Sequence, residues 1–154
     1  PLIIFNALNK KNIPIYGSGK QIRDWLFVND HCKAIKTILL KGHPGDVYNI
    51  GSNNEIENIY LARLICRLLD SIIPLKENEK ISSYEELISF VEDRPGHDNR
   101  YAIDSNKIKA KLGWEPETLF EDGIKKTVEW YISNLDWINK SFGSEYEDWF
   151  KIQY

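Results

Sequence analysis

The sequence predicts an α/β lobe of short strands and capped helices, the smaller lobe of a two-lobe protein. Three observations carry that prediction. Apolar residues recur at helical spacing in three segments, at Ala34/Ile35/Ile38/Leu39, at Leu61/Leu64/Ile65/Leu68/Leu69 and at Ile124/Thr127/Val128/Tyr131/Leu135. Between them lie only about three short β-prone stretches, where a complete doubly wound sheet needs several longer buried strands. The chain also opens Pro1-Leu2-Ile3-Ile4-Phe5 without a Met, an apolar start that reads as the inside of a helix in a longer protein.

Taken in order, residues 1–11 read as a helix and Ile13–Tyr16 as an edge strand, because Pro14 cannot donate to a ladder. Gly17–Lys20 is a turn that lacks the glycine spacing of a phosphate loop. Trp25, Leu26, Phe27 and Val28 are expected to fill core space, with Arg23 and Asp24 beside them as an ion pair or as an Arg that Asp24 orients toward an anion. Asn29 or Asp30 is expected to cap a helix running to Lys41, stopped by Gly42 and Pro44. Asp46–Gly51 reads as a strand entering a polar loop, and Asn58 as the cap of the Leu61–Leu69 helix. Residues 72–86 read as a surface connection, and Leu87–Val91 as a strand. Asp104 or Ser105 caps a short helix that Gly113 ends, and Thr118–Glu121 fits a capping box. The tail carries Trp137, Phe142, Tyr146, Trp149, Phe150 and Tyr154, a density of aromatic residues that calls for a partner surface.

Composition bounds the function. The 154 residues are 42% hydrophobic and 28% charged with a net charge of −3, a globular balance with no basic footprint for nucleic acid. No apolar run reaches the ~18 residues of a membrane span. Cys32 and Cys66 each sit in an apolar helical pattern and read as buried free thiols, and the three histidines show no metal spacing. Chemistry concentrates in Asp93-Arg94-Pro95-Gly96-His97-Asp98-Asn99-Arg100-Tyr101. A Pro-Gly turn there presents guanidinium forks suited to carboxylate or phosphate, so the expected ligand is an anion.

Several segments then coincide, in order, with one family: Pro14-Ile15-Tyr16-Gly17, Gln21 to Leu26, Tyr48-Asn49-Ile50-Gly51, Asp93 to Asp98, Arg100 to Asp104, Leu112-Gly113-Trp114 and Lys126 to Tyr131. From Pro1 to about Lys140 the chain resembles the C-terminal, substrate-binding part of the dTDP-glucose 4,6-dehydratases, in the extended short-chain dehydrogenase/reductase superfamily. The Asp-Trp and Tyr-Asn-Ile-Gly motifs are shared with related sugar-nucleotide enzymes, whereas Arg-Pro-Gly-His-Asp followed by Arg-Tyr-Ala-Ile-Asp is narrower. The resemblance implies an enzyme that binds NAD on an N-terminal Rossmann domain, oxidises the glucosyl C4 hydroxyl, eliminates water across C5 and C6 and returns the hydride to C6. It implies a cytoplasmic homodimer acting on dTDP-glucose or a related dTDP-sugar, with neither nucleic acid nor membrane as a partner.

The whole chain, 1–154, then reads as a substrate-binding region without the Rossmann core. The glycine-rich fingerprint, the Tyr-x-x-x-Lys pair and the Asp-Glu acid/base pair are expected to be absent, so no catalytic residue is assigned and the chain alone is expected to be inactive. By the resemblance, Arg23 and Arg94 hold the diphosphate. Pro14, Ile15 and Tyr16 wall the nucleotide, Asn58 is a polar contact, and Asp93, Arg94, Pro95, Gly96 and His97 form a substrate loop in which His97 donates a hydrogen bond to ligand or loop. Pro1, Leu2 and Ile3 begin a further contacting segment. The rival readings are a UDP-sugar epimerase or decarboxylase of the same superfamily, and a non-catalytic nucleotide-sugar-binding module.

Overall fold

The computed structural model describes residues 1–141, so the predicted tail aromatics from Phe142 onward lie outside the described residues. Helix α1 is Leu2–Leu8 and strand β1 is Ile13–Tyr16, joined by a turn in which Asn6 donates to the Asn12 carbonyl. Strand β2 is Ile22–Asp24, helix α2 Val28–Lys41, strand β3 Glu55–Glu57 and helix α3 Asn58–Ile72. A 3-10 turn at Tyr84–Leu87 leads into strand β4, Ile88–Val91. Helices α4 (Asn106–Leu112), α5 (Phe120–Ser133) and α6 (Leu135–Ser141) complete the fold. No helix among the described residues is long and apolar enough to cross a membrane.

Two small sheets result. Strands β1 and β4 pair in parallel from Ile13↔Ile88 to Tyr16↔Val91, so Pro14 sits on a two-stranded ribbon that tolerates a missing donor. Strands β2 and β3 pair antiparallel, Ile22↔Glu57 to Asp24↔Glu55, and Ile22 also bridges Arg100. The main core lies under α3, whose Leu61, Ile65 and Leu69 are buried against Ile4, Ala7, Ile13, Ile15 and Val128. A second cluster joins Ala34 of α2 to Ile108, Leu112 and Trp114. Truncating Leu69 to Ala in such a site costs about 2–5 kcal/mol.

Several expectations are corrected. Asp46–Gly51 forms no strand, because no described strand lies beside it to complete a ladder; Tyr48 and Ile50 pack on the second cluster instead. The strand nearby is β3, in the stretch read as polar loop. Residues 81–87 are more than surface: Tyr84 is 2% exposed, and Asp70 accepts from its N–H at 2.9 Å. Val28 is exposed and opens α2, while Trp25 and Leu26 pack on the two clusters. Ile35 and Leu39 are exposed, so the buried stripe of α2 is narrower than its apolar pattern. Cys32 is exposed; Cys66 is buried, and burial pushes its thiol up to about 12. Leu135 begins α6 and is not part of α5.

Caps are displaced too. Phe27, Glu57 and Leu119 occupy the cap positions of α2, α3 and α5, and none makes a side-chain cap hydrogen bond. Asn58 is the first residue of α3, tied through its backbone N–H to the Gln21 carbonyl. At α4, Asp104 accepts from the Asn106 N–H at 2.8 Å, and Gly113 closes the helix at φ 70°.

Asp30 lies inside α2, 1% exposed, and accepts from the backbone N–H groups of Thr118 (2.9 Å) and Glu117 (3.3 Å) just before α5. It therefore fastens α5 to α2, and Lys33 stands 3.7 Å away. Burial alone would raise its carboxyl, but the Thr118 and Glu117 hydrogen bonds and the Lys33 charge outweigh that and hold it below the ordinary carboxylate range. A depressed folded-state value stabilises the fold above the unfolded value of about 4 and stops doing so as pH falls through the lower folded value. Asp30→Ala is expected to cost about 1–3 kcal/mol near neutrality by leaving two backbone donors without their acceptor. Denaturant unfolding at pH 7 and at pH 3 checks this, and the gap between parent and variant narrows at the lower pH.

Candidate functional site

A cavity of about 530 Å³ opens between α1, β1, α3 and α5. Seven of the residues assigned from sequence line it: Pro1, Leu2 and Ile3 at the start of α1, Pro14, Ile15 and Tyr16 along β1, and Asn58 at the start of α3. They converge because the β1 register and the α3 start share an anchor. The Ile59 N–H donates to the Gly19 carbonyl at 2.9 Å, holding α3 against the turn that leaves β1. Residues not assigned from sequence also line it, among them Trp25, Phe27, Phe120 and Tyr131. Their signal in the sequence was aromatic content alone, which a core explains equally well.

The remaining assigned residues form a second group on the far side of Tyr16. Its ring stands edge-on to His97 with centroids 5.8 Å apart, and the Arg94 guanidinium carbon lies 5.9 Å from it. Arg23, on β2, donates from Nη2 to His97 Nε2 at 3.0 Å and to the Asp98 carbonyl at 3.0 Å, and from Nη1 to the Ile22 carbonyl at 2.7 Å. A guanidinium has five N–H groups, so two remain for a ligand. Tyr101 covers one face of it at 4.4 Å. Tyr16 thus belongs to both groups, and Pro95 and Gly96 form the turn that carries Arg94 and His97, with Gly96 at φ 71°.

Both carboxylates of this loop are held by neighbouring donors other than the two guanidinium groups. Asp93 accepts from His97 Nδ1 at 2.6 Å, from Gln21 Nε2 at 2.8 Å and from the Arg94 N–H at 2.9 Å. The His97 hydrogen bond above all holds its carboxyl below the ordinary range. Asp98 accepts from the Tyr101 hydroxyl, and that hydrogen bond pushes the phenol up. Arg100 grips Glu55 of β3 with two hydrogen bonds, 2.6 and 2.8 Å, fixing the far end of the loop.

Asp24 does not orient Arg23. Its oxygens accept from the Ser52 N–H (3.0 Å), the Ser52 hydroxyl (2.5 Å) and the Asn54 N–H (3.0 Å), so it organises the loop before β3. The spacing Tyr16-x-x-x-Lys20, expected to be absent, does occur. It spans a strand end and a turn, whereas residues four apart meet as neighbours on one face of a helix.

The same turn tests whether this chain cradles a dinucleotide. A Cβ on Gly19 would fall 2.6 Å from Ile15 and 2.8 Å from Ile59, and one on Gly17 2.9 Å from the Asp93 carboxylate. Both glycines exist for close packing against protein, and no helix opens directly after them. This turn is therefore not a dinucleotide cradle.

Comparison with known proteins follows the same lines. A family described as GDP-mannose 4,6 dehydratase matches residues 1–127. The chain is 51% identical over 154 residues to a dTDP-glucose 4,6-dehydratase of Shigella flexneri, covering all of this chain and 41% of that protein. It therefore spans about two fifths of the length of the curated relatives it matches. Among solved structures it is similar to a dTDP-glucose 4,6-dehydratase from Bacillus anthracis in complex with NAD (TM-score 0.74, 44% identity, 89% of this chain and 40% of that one). It is also similar to one from Streptomyces venezuelae with NAD and TYD bound (TM-score 0.75, 36% identity, 89% and 39%).

The Asp24 contacts make a local prediction. Asp24→Ala removes the acceptor shared by two backbone amides, so hydrogen exchange at Ser52 and Asn54 is expected to accelerate at least tenfold, while exchange at Ile65 and Leu69 in α3 stays within about twofold. Uniform acceleration would mean that the substitution loosens the whole fold.

Proposed function

Because this chain belongs to the GDP-mannose 4,6-dehydratase family, we propose that it supplies the nucleotide-sugar site of a dTDP-glucose 4,6-dehydratase. The single observation that carries the reading is the junction at Tyr16. One ring edges an apolar cavity of about 530 Å³ and also stands against the loop bearing His97 and Arg94. A nucleoside diphosphate has that same division, a flat, weakly polar base joined to a compact dianion. Cavities of roughly 300–1,000 Å³ are the usual size for small ligands.

In this reading Pro14, Ile15 and Tyr16 receive the nucleoside against Pro1, Leu2 and Ile3, with Asn58 as the polar contact that fixes its orientation. Arg23 and Arg94 take the diphosphate, and Asp93, Pro95, Gly96 and His97 shape the loop that presents them. The cationic heads are available because the nearby carboxylates are committed elsewhere, to His97 and Gln21 at Asp93 and to Tyr101 at Asp98. No group in this set is assigned a proton transfer on the sugar. NAD, present in the Bacillus anthracis and Streptomyces venezuelae structures, finds no cradle at the Gly17–Lys20 turn, and in this reading the chain's part is to bind and orient the sugar nucleotide. A cytoplasmic homodimer with a Rossmann domain belongs to the same reading.

Thymidine is favoured over uridine by the names of the relatives at about half identity. Calorimetric titration of the chain with dTDP, and separately with UDP, tests this. Tighter uptake of dTDP is expected, and equal affinity would favour a UDP-sugar enzyme of the same superfamily. Arg23→Ala is expected to weaken dTDP binding ten- to hundredfold, the equivalent of about 1.5–3 kcal/mol for a charge-assisted contact. Lys107→Ala, which touches Asp46 and Val47 away from the site, should change it less than twofold. Equal, small effects of the two substitutions would remove Arg23 from the site.

A further inference from the structure

His97 is the one histidine among the described residues with a partner at each ring nitrogen. Nδ1 lies 2.6 Å from Asp93 Oδ1, and Nε2 lies 3.0 Å from Arg23 Nη2. A carboxylate only accepts and a guanidinium only donates. The proton therefore sits on Nδ1, and Nε2 is a bare acceptor aimed at Arg23. The ring has no room to swap these roles: its side chain is 5% exposed, Tyr16 stands edge-on to it, and its backbone N–H donates to the Arg94 carbonyl at 3.2 Å. Asp93 is fixed in turn by Gln21 Nε2. A continuous line of hydrogen bonds thus runs from Gln21 through Asp93 and His97 to Arg23.

We propose that His97 is a positioning residue which, as a neutral imidazole protonated at Nδ1, holds the Arg23 guanidinium in place for the anionic ligand and lets it go when the ring is protonated. The proposal rests on the reading of Arg23 as a diphosphate contact. An arginine side chain is rich in rotamers, and fixing it before the ligand arrives raises affinity without any new contact to the ligand. Tyr101, stacked on Arg23 at 4.4 Å, secures the face of the guanidinium, whereas His97 secures its edge. A proton at Nε2 would set donor against donor and cation against cation. The charged and titratable groups around the ring are Asp93, Arg94 and Asp98 on its own loop, Arg23 from β2 and Tyr16 from β1. Asp93 remains as the counter-ion of a protonated ring, so it is the Arg23 contact that breaks.

Two measurements test this. Nitrogen NMR of the ligand-free chain at pH 8 is expected to show Nδ1 of His97 protonated and Nε2 bare, and acidification should move the Arg23 Nε–H resonance in step with ring protonation. A ring protonated at Nε2, or an Arg23 resonance that ignores the ring, overturns the proposal. In dTDP titration, His97→Ala is expected to weaken binding about five- to tenfold, and His97→Gln, whose carbonyl can accept from Arg23, to recover most of the loss. Placed on Arg23→Ala, the same His97→Ala change should cost less than twofold. Additive losses would overturn the positioning role. If dTDP fails to bind the parent chain, the nucleotide reading falls and the purpose of the contact falls with it, while the ring spectrum still decides the contact itself.

Discussion

The parallel pairing of β1 with β4 is the constraint on which the rest of this site depends. Two strands far apart in sequence meet residue for residue, ending at Tyr16 opposite Val91. The ladder is then extended by one bond, from the Gly17 N–H to the Val91 carbonyl at 2.9 Å. Everything downstream on both chains diverges from that point. β1 runs into the turn that anchors α3 and the apolar cavity, and β4 runs into the loop of Asp93, Arg94 and His97. A slip of one residue in this register would turn Tyr16 to the opposite face of the strand. It would separate the cavity from the guanidinium groups.

Three aspartates act as fasteners of backbone. Asp24 gathers the Ser52 and Asn54 amides, Asp30 the Thr118 and Glu117 amides, and Asp70 the Tyr84 amide with the Ser83 hydroxyl. In each case a side chain on one element completes hydrogen bonds for a loop that enters another. Such loops cannot satisfy their own buried donors, and an unmet donor is more costly than a met one is favourable. The chemistry is that of a helix cap transplanted across the fold, which explains why the expected caps of α2 and α5 are absent from their own helices.

That transplantation also marks where the sequence was legible. Helices α1, α3 and α4, strands β1 and β4, and the Gly113 stop are written in local pattern: periodic apolar residues, a proline confined to an edge, a glycine at positive φ. β3 was not legible, since Glu55-Ile56-Glu57 is polar and becomes a strand only because β2 lies beside it. Asp46–Gly51 fails in the opposite direction, carrying strand-like residues with no neighbour among the described ones. At the site, short motifs pointed to Arg23, Arg94 and His97, but not to their contacts. Thr118 and Glu121 match a capping box in spacing, yet Asp30, 88 residues upstream of Thr118, takes the amide that a local cap would.

The charge balance of the site follows from the same economy of partners. A loop with Asp93, Arg94, Asp98 and Arg100 in eight residues would be expected to neutralise itself by internal ion pairs. It does not, because every carboxylate has a better-placed donor. Asp93 has an imidazole and an amide within 2.8 Å, Asp98 a phenol, and Arg100 reaches out of the loop to Glu55. Arg94 and part of Arg23 are left with aromatic faces, Tyr16 and Tyr101, in place of counter-ions. An aromatic face attracts a cation without consuming its N–H donors, so the guanidinium is held while its hydrogen-bonding edge stays open. Cations arranged in that way are stabilised enough to remain in the fold and unsatisfied enough to prefer an anion when one arrives.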